Sequence, residues 1–281
     1  MNFEQKILSI APETKTRVIT AVAGVSLLLI LLIFGGHFGA SVVTIGIAAL
    51  MCMELSKVFY HLSDKEEKTK VLLGTAWLVI FINLFLPKSG LESLVCAFIG
   101  IFSYFLAVAD RHADKLKDHF NELIYTVFIL VYVVMFMSFL PLVRRGPNGL
   151  KWLFLFLLIN WAGDSIAYFA GRKYGKRKLY PLVSPNKTLE GALGGLAGSM
   201  FVALLFKFIF FRELSVVGAL FTALFVGVFA QIGDLCESLF KRSYGVKDTG
   251  NILPGHGGIL DRFDGVLFTL PVMYLCVLIF S

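Results

Sequence analysis

The stretch of the chain that decides the fold is residues 214–239, which read LSVVGALFTALFVGVFAQIGDLCESL. It is longer than the roughly 20 apolar residues that cross the hydrocarbon core of a bilayer. It also contains Asp234, and a carboxylate inside a membrane costs several kcal/mol unless it faces water, a cation or a partner group. The stretch therefore predicts a transmembrane helix that carries a functional group.

The rest of the chain has the same apolar character. Its hydrophobic content is 57%, where soluble domains have about half, and its mean hydropathy is +0.80. Nine stretches have the length and composition of a span, so we predict an all-α polytopic integral membrane protein with nine transmembrane helices. The predicted spans are 17–36, 38–60, 71–86, 91–109, 123–143, 152–171, 191–211, 214–239 and 258–280.

The distribution of basic residues predicts the orientation. Alternate connections between the nine spans fall on two sides, and the side richer in Lys and Arg faces the cytosol. One side holds only six of the 26 basic residues: Lys88, Arg144, Arg145, Lys151, Lys207 and Arg212. The N-terminus is therefore expected in the cytosol and the C-terminus outside. Any multispan protein needs such a bias, so the basic face by itself says little about function.

Ionisable residues divide the chain into two regions. Apart from Glu54, the interiors of the first five spans contain almost none, whereas acidic groups recur in spans six, eight and nine. We expect a scaffold of spans 1–4 in residues 1–120. Residues 121–281, with spans 5–9 and cytosolic loops 172–190 and 241–258, are expected to form the catalytic region.

The acidic residues of spans eight and nine suggest a cation site. Glu237, Ser238 and Lys241 follow Asp234 at positions i+3, i+4 and i+7, which lie on one helical face. Asp261 and Asp264 are likewise three residues apart. Such carboxylates suit Mg²⁺, a hard cation held by carboxylates, waters and substrate phosphates. The alternative is an internal network in which neighbouring arginines neutralise them.

Two helix ends show the same residues at the same spacing. Gly163, Asp164, Arg172, Tyr174 and Gly175 recur 70 residues later as Gly233, Asp234, Arg242, Tyr244 and Gly245. The match indicates a parallel repeat in which spans six and eight present equivalent groups to one cavity. Chance is the competing explanation, because these residue types are common at helix ends.

Two loops have residues suited to phosphate. In the first, Ser184 is a candidate N-cap and Pro185 a first helical residue, so Asn186 and Lys187 would complete an anion site at a helix start. Capping without a ligand is the alternative. The second loop follows span eight and reads SYGVKDTGNILPGHGG. It is expected to be non-helical, because its glycines at 255, 257 and 258 allow close backbone approach or positive φ.

The stretch 238–264, SLFKRSYGVKDTGNILPGHGGILDRFD, resembles the signature of the phosphatidate cytidylyltransferase (CDP-diacylglycerol synthase) family. The preceding GDLCES and the segment GDSIAYFAGRKYGKRKLYPLVSPNKTLEG are also similar to the family, which often has Asn-Asp-Thr-Gly where this chain has Gly163-Asp164-Ser165-Ile166. The first five spans match it only in being hydrophobic.

The resemblance implies CTP and phosphatidate as substrates, CDP-diacylglycerol and pyrophosphate as products, a requirement for Mg²⁺, and a homodimer. We also expect room for a second cation, contact with membrane lipids and no binding of nucleic acid. The expected location is the inner (plasma) membrane, with the active site facing the cytosol.

On this hypothesis the lipid phosphate attacks the α-phosphorus of CTP in line, and the protein contributes position and charge. The expected metal ligands are Asp234, Asp261 and Asp264, with Glu237 as second choice. The expected catalytic residues are Asp234, Lys241, Arg242, Lys247, Asp248, His256, Asp261 and Asp264. The expected substrate-binding residues are Asp164, Arg172, Lys176, Ser184, Asn186, Lys187, Glu190, Ser238 and Arg262.

Two other functions are compatible with the same residues. A CTP-dependent lipid kinase would also be a basic, Mg²⁺-using membrane enzyme, but it would attack the γ-phosphorus and need a general base near the lipid hydroxyl. An ion-coupled transporter would also place carboxylates in the membrane, but near its midplane with access from both faces.

Overall fold

The computed structural model describes residues 12–250, 252 and 257–281, with side chains from residue 23 onward. Its regular structure is almost entirely helical. The helices are α1 Pro12–Phe34, α2 Gly36–Phe59, α3 Lys65–Phe85, α4 Gly90–Ala107, α5 Leu116–Ile129, α6 Phe139–Arg145, α7 Gly149–Tyr174, α8 Leu189–Ile209, α9 Val216–Ser243 and α10 Leu260–Phe280. Two short strands, β1 Lys178–Tyr180 and β2 Ser184–Thr188, lie between α7 and α8.

Eight helical segments of the described chain are long and apolar enough to cross a membrane. Helix α1 contributes only the shorter apolar segment Ala23–Phe34 to this search. The prediction of an all-α polytopic membrane protein is confirmed, with eight of the nine expected spans found in the described residues.

The fifth span is longer and less regular than expected. The predicted span 123–143 lies inside a continuous helical run, Ala109–Arg145. This run begins with the 3₁₀ segment Ala109–Lys115 and contains the π-helical segment Leu130–Met135 between α5 and α6. The hydropathy pattern missed its first turns because the polar residues His119 and Glu122 are buried there rather than exposed.

Contacts between distant residues define the two ends of the bundle. At one end, Arg144 Nε donates to the carbonyl of Leu32 at 2.9 Å, and Trp152 Nε1 donates to Ser281 Oγ at 3.0 Å. The opposite end carries the ends of α2, α7 and α9 and the starts of α8 and α10. The candidate site lies at this second end.

Glycines bring helices together within the second half of the chain. A Cβ atom on Gly195 would lie 2.9 Å from the carbonyl oxygen of Gly163, so α8 and α7 approach closely. A Cβ atom on Gly233 would lie 3.3 Å from the Cα of Gly265, so α9 and α10 do the same. Small residues permit such close packing of membrane helices. The two glycine pairs keep the 70-residue offset of the predicted repeat, which extends that match from the helix ends to the helix contacts.

The predicted helix start at Ser184 and Pro185 is wrong. These residues belong to β2, which pairs antiparallel with β1 so that Ser184 faces Tyr180. Helix α8 begins at Leu189, and the Thr188 side chain accepts the N–H of Gly191 at 3.1 Å. Thr188 supplies the cap closer to the apolar run, while a proline is tolerated in a strand that has no partner on one side.

The expected non-helical loop after α9 is confirmed for its described residues. Gly257 has a φ of +81°, and a Cβ atom on Gly258 would lie 2.7 Å from Asp261 Oδ2. Both positions thus need glycine for the reasons that the sequence suggested. Gly255 lies outside the described residues.

Candidate active site

A cavity of ≈ 370 Å³ opens between α7, the β1–β2 hairpin, the start of α8 and α9. Four of the predicted substrate-binding residues line it, together with one predicted metal ligand. These five are Asp164, Arg172, Asn186, Lys187 and Asp234. The sequence placed them in three separate segments, and the fold gathers them around one space of a size that suits part of a nucleotide or a phosphorylated head group.

The β1–β2 hairpin places a cation next to the carboxylate of Asp234. Lys187, on β2, forms an ion pair with Asp234. Ser238 Oγ lies 3.5 Å from Asp234 Oδ1, one helical turn further along α9. The lysine and the carboxylate are both only partly exposed, at 29% and 34% of their side-chain area, so this pair borders the cavity rather than being sealed from it.

A group of carboxylates extends from the cavity into the bundle. Glu237 is 1% exposed, and its oxygens have no aligned hydrogen-bond donor among the described residues. Asp264 lies beside Glu237, and Asp164 is close enough to Asp234 and Asp264 for their charges to interact. Of these residues, Asp264 is half-buried and Asp164 is exposed in the cavity. Carboxylates this close to one another repel, so the arrangement is suited to a cation.

Lysine 241 connects this group to the start of α10. Its Nζ lies 3.1 Å from Glu237 Oε2 and 2.9 Å from Asp261 Oδ1. Asp261 Oδ2 also accepts the backbone N–H groups of Thr249 and Gly258, each at 3.0 Å. The ion pairs described for Asp234 and Asp261 therefore run to lysines, whereas the sequence suggested Arg242 and Arg262 as neutralising partners.

Glu54 is the residue that sequence reasoning missed. It lies near the end of α2, is 1% exposed, and accepts the N–H groups of Ile259 at 2.9 Å and Leu260 at 3.0 Å. Its Oε2 is also 3.5 Å from Thr249 Oγ1. The available signal was that Glu54 stood almost alone as an acidic residue inside the first five spans.

Tyr132 is a second residue that the sequence analysis missed, and it had no sequence signal. It lies on the π-helical segment, a geometry that is frequent at functional sites, and it is 7% exposed. Its hydroxyl has no hydrogen-bond partner among the described residues, and the charges of Glu237 and Asp264 are close enough to act on it. The phenol thus borders the same acidic group from the fifth span.

The other predicted residues have different positions. Arg242, Lys247 and Asp248 are exposed at the end of α9 and in the loop that follows, and Arg262 is in the first turn of α10. Glu190 accepts the backbone N–H groups of Lys176 at 3.0 Å and Arg177 at 3.2 Å, so it fixes the loop after α7. Ser184 is in the hairpin. His256 lies outside the described residues.

A second polar cluster lies on α3 and the fifth span. Ligand atoms of Asp64, His112 and His119 lie within 4.8 Å of one another, as in a metal site. Lys68 Nζ already occupies this space, 2.8 Å from Asp64, 2.6 Å from Glu122 and 3.3 Å from His119 Nδ1. The ammonium group supplies the positive charge that a metal would bring, so we interpret the cluster as a buried ion-pair network.

Asp64 precedes α3 and lies outside the membrane-spanning segments. Burial raises the pKa of its carboxyl group, but the contacts with Lys68 and His112 outweigh burial and hold the pKa below its ordinary value. His112 Nε2 lies 2.9 Å from Asp64 Oδ2. The carboxylate is therefore charged at neutral pH and stabilises the start of α3 against the 3₁₀ segment that precedes α5.

The sequence is similar to known proteins along nearly its whole length. The profile of the Cytidylyltransferase family matches residues 15–280. A phosphatidate cytidylyltransferase of Bacillus subtilis (strain 168) is 35% identical over 278 residues, covering 96% of this chain and 99% of the relative. One of Staphylococcus haemolyticus (strain JCSC1435) is 32% identical over 276 residues, covering 94% and 99%. One of Staphylococcus aureus (strain COL) is 38% identical over 188 residues, covering 67% and 69%.

Proposed function

This chain belongs to the cytidylyltransferase family, and we propose that it transfers the cytidylyl group of CTP to phosphatidate, giving CDP-diacylglycerol and pyrophosphate. The observation that carries the proposal is the cavity at the C-terminal ends of α7 and α9, which combines Arg172 and Lys187 with the carboxylates of Asp164 and Asp234. Cations that bind phosphate and acids that bind a metal thus border the same space.

The carboxylates fit a divalent cation. Asp234, Asp261 and Asp264 would hold Mg²⁺ together with Glu237, whose buried oxygens lack aligned donors in the described structure. Oxygen ligands of this kind are what Mg²⁺ takes, with waters and substrate phosphates completing its shell. When bound there, the cation would neutralise charge on the triphosphate.

In the proposed reaction, an oxygen of the lipid phosphate forms a bond to the α-phosphorus of CTP. The bond from that phosphorus to the bridging oxygen breaks, and pyrophosphate leaves with the electron pair. The nucleophile is already an anion, so no strong base is required. The main barrier is repulsion between two phosphates, which fixed cations lower by position and charge.

We assign the basic residues to this task. Lys187 and Arg172 would contact a phosphate in the cavity, while Lys241 would hold the carboxylates of Asp261 and Glu237 next to each other. Arg242 and Lys247 are exposed at the same end and would bind the remaining phosphate charge or anionic head groups, where a basic residue contributes about 1 kcal/mol.

We also propose the finer topology. Nine spans with the N-terminus in the cytosol would put the candidate site on the cytosolic side of the inner (plasma) membrane, where CTP is made. Residues 1–120 would serve as scaffold and 121–281 as the catalytic region, in a homodimer. Cysteine labelling from each side of sealed vesicles at position 247 and at position 213, in a background without native cysteines, tests this topology.

The decisive experiment uses purified protein, phosphatidate and CTP labelled in the cytidine ring, with and without Mg²⁺. We expect label in the lipid fraction only when Mg²⁺ is present, and a loss of at least 100-fold in Asp264→Asn. Glu213→Gln is the matched control, because Glu213 pairs with Lys151 at the opposite end of the bundle. Label left in CDP would indicate a lipid kinase, and no turnover of CTP would favour transport; either result would refute the proposal.

A further inference from the structure

The start of α10 is held by a residue from the other half of the chain. The first N–H groups of a helix have no partner within the helix. At α10 the residue in the cap position is Ile259, whose side chain cannot accept a hydrogen bond. Glu54 of α2 supplies the acceptor instead, through one oxygen to Ile259 N and the other to Leu260 N.

This contact is strong by the usual physical criteria. A carboxylate that accepts backbone N–H groups makes charge-assisted hydrogen bonds, and its negative charge is favourable at the positive end of a helix. Glu54 is buried, so water does not compete for its oxygens. The two bonds also span more than 200 residues of sequence, and therefore fix α2 and α10 relative to each other.

The same carboxylate touches the loop that precedes α10. A Cβ atom on Gly250 would lie 2.6 Å from Glu54 Oε1, so the loop backbone rests directly on the carboxylate. Thr249 Oγ1 lies 3.5 Å from Glu54 Oε2 and 3.2 Å from Asp261 Oδ2. The Thr249 hydroxyl thus lies between Glu54 and the first carboxylate of α10.

We propose that Glu54 is a positioning residue for the transferase reaction, and this rests on the function proposed above. It sets the place and direction of the first turn of α10, and with it the carboxylates of Asp261 and Asp264. Glu54 itself touches neither substrate nor metal. A residue of the scaffold region thereby determines the geometry of the acidic group in the catalytic region.

The chain contains a matched control for this role. Glu122 is also a buried carboxylate that accepts two consecutive N–H groups, from His61 at 2.7 Å and Leu62 at 2.9 Å. It holds the turn between α2 and α3, which has no contact with the acidic group of α9 and α10 among those described. Replacing either glutamate by glutamine weakens charge-assisted bonds to two consecutive N–H groups. Glu122→Gln also weakens the ion pair with Lys68, so it is the more severe local change, but only Glu54→Gln reaches the proposed site.

The experiment compares Glu54→Gln and Glu122→Gln in the full-length protein in detergent, by thermal unfolding and by transferase kinetics over a range of Mg²⁺ concentrations. Both variants are expected to unfold at lower temperature. Glu54→Gln is expected to lower kcat by at least about tenfold and to raise the half-saturating Mg²⁺ concentration several-fold, because a small displacement of catalytic groups is costly. Glu122→Gln is expected to keep both parameters within about twofold of the wild type.

Gly250→Ala provides the second variant, since it displaces the same carboxylate from the loop side and does not remove a buried charge. It should reproduce the kinetic changes of Glu54→Gln, and it decides the question if Glu54→Gln does not fold. Gly74→Ala, where nothing lies within 4 Å of an added Cβ, is its control.

Unchanged kcat and Mg²⁺ requirement in the folded Glu54 and Gly250 variants would overturn the positioning role, as would equal kinetic losses in Glu122→Gln. The proposed function would stand in both cases. A wild-type protein that puts no cytidine label into lipid would instead refute the proposed function itself.

Discussion

Replacing Gly233 by alanine tests how closely the two acidic helices must approach. Gly233 precedes Asp234 on α9 and packs against the first turns of α10. An added Cβ would lie 2.8 Å from the carbonyl oxygen of Asp264 and 3.1 Å from the Cβ of Phe268. Both neighbours are backbone or rigidly attached to it, so a side chain cannot turn away to make room.

The size of the effect follows from these distances. Ordinary contacts of a Cβ begin at 3.4 Å, so α9 and α10 must separate by about 0.6 Å. Overpacking of this kind lowers the free energy of unfolding by about 1–3 kcal/mol. The better helix propensity of alanine offsets up to about 1 kcal/mol of that loss. A catalytic displacement of about 1 Å costs about 100-fold, so a shift of this size should lower kcat by about tenfold.

The assay is transfer of labelled cytidine to phosphatidate, with thermal unfolding measured on the same samples. Gly227→Ala is the control on the same helix, because its Cβ would meet the end of the flexible Leu196 side chain at 3.0 Å. We expect that variant to keep nearly full activity. Wild-type kcat in folded Gly233→Ala would refute the inference that the distance between α9 and α10 sets the positions of the carboxylates on these two helices.

Three further predictions concern charged residues. Lys68→Met leaves the carboxylates of Asp64 and Glu122 without their cation, so the free energy of unfolding should fall by about 3–5 kcal/mol in chemical or thermal denaturation, with transferase activity per folded protein preserved. Because the pKa of Asp64 is held below its ordinary value, its stabilising contribution is complete above the unfolded pKa of about 4 and is lost as the pH falls through the folded pKa; Asp64→Asn should therefore flatten the decline of the unfolding temperature below about pH 4. Lys187→Met removes the cation paired with Asp234 and should raise the KM for CTP by about tenfold, whereas Lys187→Arg should raise it less; equal values for both variants would exclude a charge contact with the nucleotide.

Hydropathy and residue spacing were sufficient for the class of fold. Long apolar runs can be satisfied in a bilayer only as helices, because lipid offers no partner to backbone N–H and C=O groups. The acidic positions in spans six, eight and nine could also be found from the sequence, because a carboxylate in an apolar run is costly and is therefore rare without a function. The glycines at 257 and 258 were likewise predictable, because few other residues fit a tight loop.

The errors occurred where long-range contacts override local signals. Ser184 and Pro185 form a good local helix start, but pairing with β1 makes that segment a strand. His119 and Glu122 look like residues outside a span, yet Lys68 satisfies them inside the bundle. A local pattern carries no information about partners that lie tens of residues away.

The sequence by itself therefore determined that the chain is a helical membrane protein, which carboxylates stand in apolar surroundings, and which family the motif at 238–264 resembles. Tertiary structure alone decided the partners of those groups. Lys187 reaches Asp234 through a hairpin, Lys241 contacts Asp261, and Glu54 of α2 holds the start of α10. The physical reason is that burial of a charge is visible in one segment, whereas the group that compensates it is brought by the packing of another.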